Sequence, residues 1–213
     1  MHHKAARADA PKTAGRVIHW ARFYDLFGKL VSFGRDDAIR KKLVALAAPA
    51  PGESVLDVGC GTGTLAIALR AKAGEGEVHG IDASPEMIEV AREKAAKARS
   101  EIDFQVALIE EIPFPAAAFD LVTSSLMLHH LPDDLKGKGF AEIRRVLKPG
   151  GRFLAMDFAA RSHSFLGHLL SVFGHARGES MVDKLTPMLK EAGFDDVEAL
   201  PTRHKNFAFI RAR

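Results

Sequence analysis

Three glycines at alternate positions follow an apolar run in the stretch VLDVGCGTGT, residues 55–64. The run meets an acid at Asp57 and then breaks at Gly59, Gly61 and Gly63. A glycine turn after a strand lets the backbone pass close to a ligand, and the helix that follows points its N-terminal amides at it. The pattern predicts a nucleotide-type cofactor at this turn.

A second acid, Asp82, stands 19 residues beyond Gly63, at the end of the next predicted strand in VHGIDAS. In open α/β sheets, an acid at that place accepts hydrogen bonds from ribose hydroxyls. The glycine turn and this acid together fit NAD and S-adenosylmethionine equally well.

The acid at Asp57 separates these two cofactors. A carboxylate at the strand tip repels a pyrophosphate and attracts an ammonium group such as that of a methionine moiety. Gly61, Gly63 and Ala66 also satisfy the dinucleotide pattern G-x-G-x-x-A, but the first strand would then have to run through residues 59–60, where glycine is disfavoured. The chain also offers no second half for a nicotinamide. S-adenosylmethionine is the preferred cofactor, and an NAD-dependent reductase is the lesser alternative.

Short β-rich runs alternate with amphipathic helical runs along most of the chain, which is typical of a doubly wound parallel sheet with right-handed crossovers. We predict an α/β, Rossmann-like, mostly parallel seven-stranded sheet with an antiparallel C-terminal edge hairpin and an N-terminal helical cap. The predicted strands are Ser54–Val58, Val78–Asp82, Ile102–Val106, Leu121–Ser124, Arg152–Phe158, Val197–Leu200 and Phe207–Arg211, and the predicted helices are Arg16–Phe33, Asp36–Ala47, Thr64–Lys72, Pro85–Ala98, Asp133–Leu147 and Met181–Ala192.

Composition changes divide the chain into three parts. Residues 1–15 are small and polar and are predicted to be a mobile arm, and residues 16–51 form the helical cap. Residues 52–213 form the cofactor-binding domain. Residues 159–180 interrupt the regular alternation and are expected to form a lid above the cofactor.

Charge and cysteine content exclude several classes of protein. The net charge is +3, and the excess lies in residues 1–47, which hold ten Lys and Arg against four Asp. No apolar run reaches the roughly 18 residues that a membrane span needs, so a cytoplasmic location is expected. The single cysteine, Cys60, excludes a disulfide within the chain and a cysteine-based zinc site, and it is expected to be a small filler of the turn.

The motifs are similar to those of a known family. LDVGCGTG resembles motif I of the class I S-adenosylmethionine-dependent methyltransferases, and GIDAS with PEMIEVAR resembles their ribose-acid motif and its helix. IPFPAAAFDLVTSSLMLHHLPD and EIRRVLKPGGRFLAMDF are similar to the small-molecule branch that includes quinone-biosynthesis and phospholipid or sterol methyltransferases. The resemblance covers residues 52–158.

The resemblance implies a role for most of the motif residues. The three glycines would cradle the amino-acid part of S-adenosylmethionine, Asp57 would help to bind its ammonium and Asp82 would take the ribose. Ala83 and Met87 would flank the adenine. The residues expected at the cofactor are Asp57, Gly59, Cys60, Gly61, Gly63, Asp82, Ala83, Met87, Leu108, Ile109 and Ser125.

One position departs from the family pattern. Where these enzymes usually show a Gly-Asp-Ala type triplet whose acid binds the adenine amino group, this chain has Ala107, Leu108 and Ile109. Backbone groups at Leu108 and Ile109 are expected to recognise the adenine. Packing of Leu108 on the ring, and replacement of the acid by Glu110 or Glu111, are the open alternatives.

Tyr24 and His129 are the candidate catalytic residues. Methyl transfer from a sulfonium is an in-line displacement, so a base is needed only when the acceptor arrives protonated. Similar enzymes fold an N-terminal YD helix over the cofactor, which would place Tyr24 near the sulfonium; the alternative is a core aromatic. His129 follows the fourth strand and is a candidate general base, ahead of His130; the alternative is a packed histidine.

The acceptor is expected to be a small, largely apolar molecule. Thr123 to Leu126 lacks the Asn/Asp-Pro-Pro-aromatic stretch of many amino methyltransferases, and the core shows no basic face with interleaved aromatics, which argues against a nucleic-acid partner. FLGHLLSVF, residues 165–173, offers an apolar lid.

The basic helix over residues 16–33 also permits peripheral membrane contact through Trp20 and Phe27, with a lipid or quinone acceptor. A binding protein of the same fold without catalysis is the remaining alternative, and the oligomeric state is left open.

Overall fold

The computed structural model describes residues 11, 13–15, 36–159, 180–203 and 206–213. The described elements are helices α1 (Asp36–Ala47), α2 (Thr64–Ala73), α3 (Pro85–Ala98), α4 (Asp133–Val146) and α5 (Met181–Glu191), and strands β1 (Val55–Val58), β2 (Val78–Asp82), β3 (Asp103–Val106), β4 (Phe119–Ser125), β5 (Leu147–Phe158), β6 (Val197–Leu200) and β7 (Phe207–Ala212). A single 3₁₀ turn, Leu128–His130, follows β4.

The strands form one seven-stranded sheet in the order β3-β2-β1-β4-β5-β7-β6. β1 to β5 are parallel to one another, and β7 is antiparallel to both of its neighbours, β5 and β6. This confirms the predicted sheet and its C-terminal hairpin. The strand order reverses between β1 and β4, which makes their carboxyl ends the topological switch point.

Each face of the sheet carries its own core because side chains alternate between faces along a strand. Val55, Leu121 and Leu154 pack against α1, α2 and α3. Leu56 and Val122 point the other way and pack against α4 and α5. The sheet is therefore covered on both faces, and its carboxyl edge is the place where a ligand can reach the strand ends.

The helix signals in the sequence agree with the structure at one boundary and differ at another. Ser84 caps α3 by accepting a hydrogen bond from the Met87 amide, with Pro85 in the first helical turn. Residues 148–151 were expected to separate a helix from a strand, but they lie inside β5, which begins directly after α4. The pairing of β5 with β4 shifts register between Phe119 and Leu121, and this irregularity accommodates the proline and glycines of that segment.

Several predicted elements lie outside the described residues. These include most of the arm over residues 1–15, the helix over residues 16–33, and residues 160–179 of the expected lid. The division into arm, cap, domain and lid therefore stays a prediction. Within the described ranges, no helix is both long and apolar enough to cross a membrane.

Candidate functional site

The glycine turn begins where β1 ends, at Val58. The amides of Gly59 and Cys60 both donate to the Ile81 carbonyl oxygen of β2, at 2.8 and 3.0 Å, so the turn is fixed to the neighbouring strand. The strand stops before the glycines, which removes the dinucleotide interpretation that needed it to continue.

The three glycines serve different steric needs, although all have positive φ angles, +69° at Gly59, +52° at Gly61 and +74° at Gly63. A Cβ atom at Gly59 would lie 2.3 Å from Met127 Cγ, and one at Gly63 would lie 2.7 Å from Phe104 Cζ. A Cβ atom at Gly61 would meet nothing within 4 Å. The outer two glycines allow close packing, whereas Gly61 borders open space at the strand ends.

Asp82 organises this turn from the end of β2. Its Oδ2 accepts the Gly61 amide at 2.9 Å and its Oδ1 accepts the Ser84 amide at 2.9 Å. Burial raises the pKa of Asp82, and the two backbone hydrogen bonds oppose that rise. Each carboxylate oxygen can accept more than one hydrogen bond, so the group can still receive ligand hydroxyls.

Asp57 is buried at the end of β1, with 1% of its surface exposed. Its Oδ1 accepts the Thr123 hydroxyl of β4 at 2.8 Å, while its Oδ2 is buried without a hydrogen-bond partner among the described residues. Burial raises the pKa of Asp57 to about 7, the Thr123 hydrogen bond opposes that rise, and the nearby Asp82 charge adds to it. A buried acceptor without a partner costs free energy unless a ligand satisfies it, and a cationic group suits this one best.

Several other predicted residues contribute to the core more than to an open site. Cys60 is 8% exposed and packs in the α1–α3 core, where burial raises the pKa of its thiol, so the expectation of a small filler is confirmed. Met87 is 3% exposed. Ile109 is 7% exposed and lies against Gly139 of α4, which leaves only its backbone for a ligand.

The remaining predicted residues are half-buried at the carboxyl edge: Ala83, Leu108 and Ser125. Leu108 forms an isolated antiparallel bridge with Glu111, and Glu110 accepts a hydrogen bond from Thr13 Oγ1 at 2.9 Å. Tyr24 lies outside the described residues.

His129 lies at the same edge, in the 3₁₀ turn after β4, and pairs with Asp157 of β5. The Nδ1 atom of His129 is 2.7 Å from Asp157 Oδ1, and the His129 amide donates to Asp157 Oδ2 at 3.0 Å. The side chain of His129 is 29% exposed and that of Asp157 is 3% exposed. The carboxylate is thus buried, whereas the imidazole is accessible from solvent.

The turn that carries His129 lies directly against the glycine turn. Leu126 has φ +54°, an uncommon value for a non-glycine residue, and its amide donates to the Met156 carbonyl oxygen at 2.8 Å. This bend brings Met127 onto Gly59. The β1–β2 and β4–β5 parts of the site are therefore in contact.

Sequence reasoning missed Thr123 as the partner of Asp57 and Asp157 as the partner of His129. The available signal was position: both polar residues stand near the end of a predicted strand whose neighbours already carried candidates. The described residues contain no group of three side chains suited to a metal ion.

The fold and this edge define a class of α/β proteins that bind a nucleoside cofactor at the switch point. Residues 55–151 match the family model described as Methyltransferase domain. The chain is 32% identical over 213 aligned residues to a ubiquinone/menaquinone biosynthesis C-methyltransferase of Francisella philomiragia, covering 88% of this chain and 84% of the relative. The chain belongs to the S-adenosylmethionine-dependent methyltransferase family, and its cofactor is S-adenosylmethionine.

Two further relatives are a demethylmenaquinone methyltransferase of Thermus thermophilus, 37% identical with 70% of this chain and 67% of the relative covered, and an arsenite methyltransferase of Halobacterium salinarum. The chain is 37% identical to the latter over 74% of its own length, but spans only 41% of that protein. A methyltransferase from Aquifex aeolicus has the same fold, with a TM-score of 0.65, 23% identity, and coverage of 81% of this chain and 88% of that one.

Proposed function

We propose that this chain transfers the methyl group of S-adenosylmethionine to a small, largely apolar acceptor. The observation that carries the proposal is the buried Oδ2 of Asp57, which has no hydrogen-bond partner among the described residues and lies at the glycine turn. The ammonium group of the cofactor is a cationic donor of the hydrogen bond that this atom does not receive from the described residues.

The cofactor, when bound, supplies an electrophilic methyl group on a sulfonium. Asp57 binds the ammonium, and the glycine turn lets the chain approach the amino-acid part closely. Asp82 accepts the ribose hydroxyls with the lone pairs that the Gly61 and Ser84 amides leave available.

The adenine end of the site is built without a carboxylate. We assign adenine recognition to the backbone at Leu108 and Ile109, with Ala83 and Met87 beside the ring and Ser125 at the end of β4. The burial of the Ile109 side chain supports a backbone role there. Tyr24 stays a predicted cover for the sulfonium.

A quinol-type ring is the acceptor that we propose to test first. Relatives named for quinone biosynthesis support it, as does the aromatic group at the acceptor end, where the Phe158 ring stacks on Phe207 with a centroid distance of 5.6 Å. Arsenite, named in another relative, is a weaker choice because this chain has one cysteine, and Cys60 is buried with a raised thiol pKa. Trivalent arsenic prefers soft thiolate ligands.

Calorimetric titration and label transfer test this function together. We expect S-adenosylmethionine and S-adenosylhomocysteine to bind, NAD not to bind, and labelled methyl to reach reduced 1,4-naphthoquinone in preference to arsenite. Asp195→Asn, an exposed change at the opposite edge of the sheet, is the matched control for carboxylate-to-amide variants. Tight NAD binding without a response to the other two would contradict the proposal, and cofactor binding without transfer to any acceptor would favour a non-catalytic protein.

Contact of the N-terminal basic segment with a membrane and a cytoplasmic location stay predictions. Cosedimentation with anionic liposomes, with and without residues 1–33, tests the contact. Equal sedimentation of the two forms would show that residues 1–33 do not bind the membrane.

A further inference from the structure

The buried carboxylate of Asp157 accepts three hydrogen bonds. Its Oδ2 accepts the His129 amide at 3.0 Å, and its Oδ1 accepts the Phe158 amide at 2.8 Å and faces His129 Nδ1 at 2.7 Å. An ionised carboxylate only accepts, so the Nδ1 atom must carry the hydrogen. In the neutral imidazole the lone pair is then on Nε2, the nitrogen that a general base uses.

The imidazole is held by more than this one hydrogen bond. The Phe158 ring meets it edge-on at a centroid distance of 4.9 Å, and the His130 ring lies 3.9 Å away. The backbone of His129 is fixed by the same carboxylate that orients its ring. The tautomer of His129 therefore depends on Asp157 of β5, and its position depends on Asp157 together with these two rings.

The pair lies at the carboxyl edge of the sheet, next to the glycine turn. His129 is two residues beyond Met127, which packs on Gly59 of the glycine turn. Asp57 and Thr123 join β1 to β4 at the same edge. An imidazole at this place is close to the cofactor end of the site and is 29% exposed, so a bound small molecule can reach it.

We propose that Asp157 is a positioning residue that fixes His129 as the general base for an acceptor whose reacting group arrives protonated. The inference rests on the proposed function. In the reaction, the acceptor loses its proton to Nε2 of His129 and forms the new bond to the methyl carbon. The electron pair of the broken carbon–sulfur bond stays on sulfur, Asp157 stabilises the imidazolium, and the proton then passes to water.

A purely structural role for Asp157 gives different results. If the carboxylate only ties the 3₁₀ turn to β5, its loss lowers stability and leaves the imidazole tautomer and the pH dependence of transfer unchanged. Asp157 on β5 and His130 on the same turn are the titratable groups that the described residues place against the His129 ring.

The test uses the full chain with S-adenosylhomocysteine bound for NMR, and with S-adenosylmethionine and reduced 1,4-naphthoquinone for transfer. The variants are Asp157→Asn, His129→Gln and the double variant, with Asp195→Asn as the control. Long-range ¹⁵N–¹H spectra report which imidazole nitrogen carries the hydrogen, and the signals lost in His129→Gln identify the ring. Thermal unfolding of each variant checks that it is folded.

We expect a neutral His129 protonated on Nδ1 in the wild type and a shift towards the Nε2-protonated form in Asp157→Asn. In transfer, Asp157→Asn should lower kcat about 100-fold with KM changed less than about twofold, and the acid limb of its pH profile should move to lower pH. The double variant should be no slower than His129→Gln, because residues that act through one another are not additive.

An Nε2-protonated ring in the wild type, or an unchanged ring in folded Asp157→Asn, would overturn the inference whatever the acceptor is. Additive losses of kcat in the double variant would overturn it as well. If instead the NMR results are as expected but the chain does not bind S-adenosylmethionine or methylate any acceptor, the proposed function fails and not the assignment of the pair.

Discussion

The two edges of the sheet hold their carboxylates in opposite ways. At the amino edge, Glu53 accepts hydrogen bonds from Arg152 Nη1 and Nη2, both at 2.8 Å, which lower its pKa. Asp120 pairs with Lys148 at 2.6 Å; burial opposes the change, but the bonds from Lys148 and from the Ser54 amide lower its pKa overall.

At the carboxyl edge, where Asp157 pairs with His129, two other carboxylates lie without a cationic partner among the described residues. Burial raises the pKa of both Asp57 and Asp82, and no salt bridge within the described ranges involves either residue. The charges at the amino edge stabilise the fold, whereas Asp57 and Asp82 at the carboxyl edge lie without a cationic partner, which a cationic ligand can supply. We therefore expect loss of the ion pairs at the amino edge to change stability, and loss of Asp57 or Asp82 to change cofactor binding.

The glycine turn should give the largest effects, and two of its glycines should separate folding from binding. In Gly63→Ala the new Cβ meets Phe104 at 2.7 Å in a left-handed conformation, so we expect the free energy of unfolding to fall by about 3 kcal/mol. In Gly61→Ala only the conformational cost of about 1 kcal/mol applies, because nothing lies within 4 Å. Urea unfolding measures both.

The same pair of variants tests where the cofactor lies. We expect Gly61→Ala to weaken S-adenosylmethionine binding at least tenfold, about 1.4 kcal/mol, because its methyl group enters the space assigned to the ligand. Calorimetry on the folded variant measures this. Wild-type affinity in Gly61→Ala would show that the open space is not the cofactor site.

Arg152→Ala should lower stability by about 2 kcal/mol without changing cofactor affinity. Its guanidinium holds Glu53 and also donates to the carbonyl oxygens of Ala47 and Ala48 at the end of α1. Urea unfolding and calorimetry measure the two quantities, with exposed Arg203→Ala as the control. A loss of cofactor affinity in folded Arg152→Ala would show that the amino edge affects cofactor binding as well as stability.

The sequence allowed the positions of the glycine turn, Asp57 and Asp82 at the strand ends to be predicted, whereas their contacts with the cofactor stay a prediction. Each of these residues stands at or just after the end of a strand with a clear apolar run, and a capped helix follows Asp82. Periodicity and caps depend on local interactions, which is why element boundaries such as Ser84–Pro85 were predictable.

The contact between His129 and Asp157 was not predictable in the same way. His129 and Asp157 are 28 positions apart, and their contact depends on β4 lying beside β5 and on the bend at Leu126. A lone acid in LAMDF gives no local signal of a partner. The strand through residues 147–151 was missed because proline and glycine disfavour strands, and the pairing with β4 overrides that preference.

Asp133→Asn should give the smallest effect, a loss of about 1 kcal/mol, because Asp133 itself is half-exposed, although its partner Lys136 is only 2% exposed. Hydrogen bonds from Lys136 and Lys184 lower the pKa of Asp133 to about 2, and the bond from Lys184 joins α4 to α5. The contribution is therefore present above pH 4 and is lost as the pH falls towards 2. Thermal unfolding at pH 7 and pH 3 measures it; an equal loss at both values would contradict the assignment.

Asp57 gives the opposite pH dependence in the cofactor-free chain. Because its pKa is raised from 3.8 to about 7, the folded chain holds an extra proton between these values, and the stability due to this group is lost as the pH rises through 7. Asp57→Asn should therefore be more stable than the wild type at pH 8, since it buries no charge.

Calorimetric titration of S-adenosylmethionine into wild-type protein and Asp57→Asn at pH 5.5 and pH 7 tests whether Asp57 binds the cofactor. We predict that wild-type affinity rises about tenfold over this range, because only ionised Asp57 binds the ammonium, and that binding near pH 7 releases a proton. Asp57→Asn should bind at least about tenfold more weakly at pH 7, with little dependence on pH. Equal affinity and equal pH dependence in the two proteins would show that the buried Asp57 carboxylate does not bind the ammonium group of the cofactor.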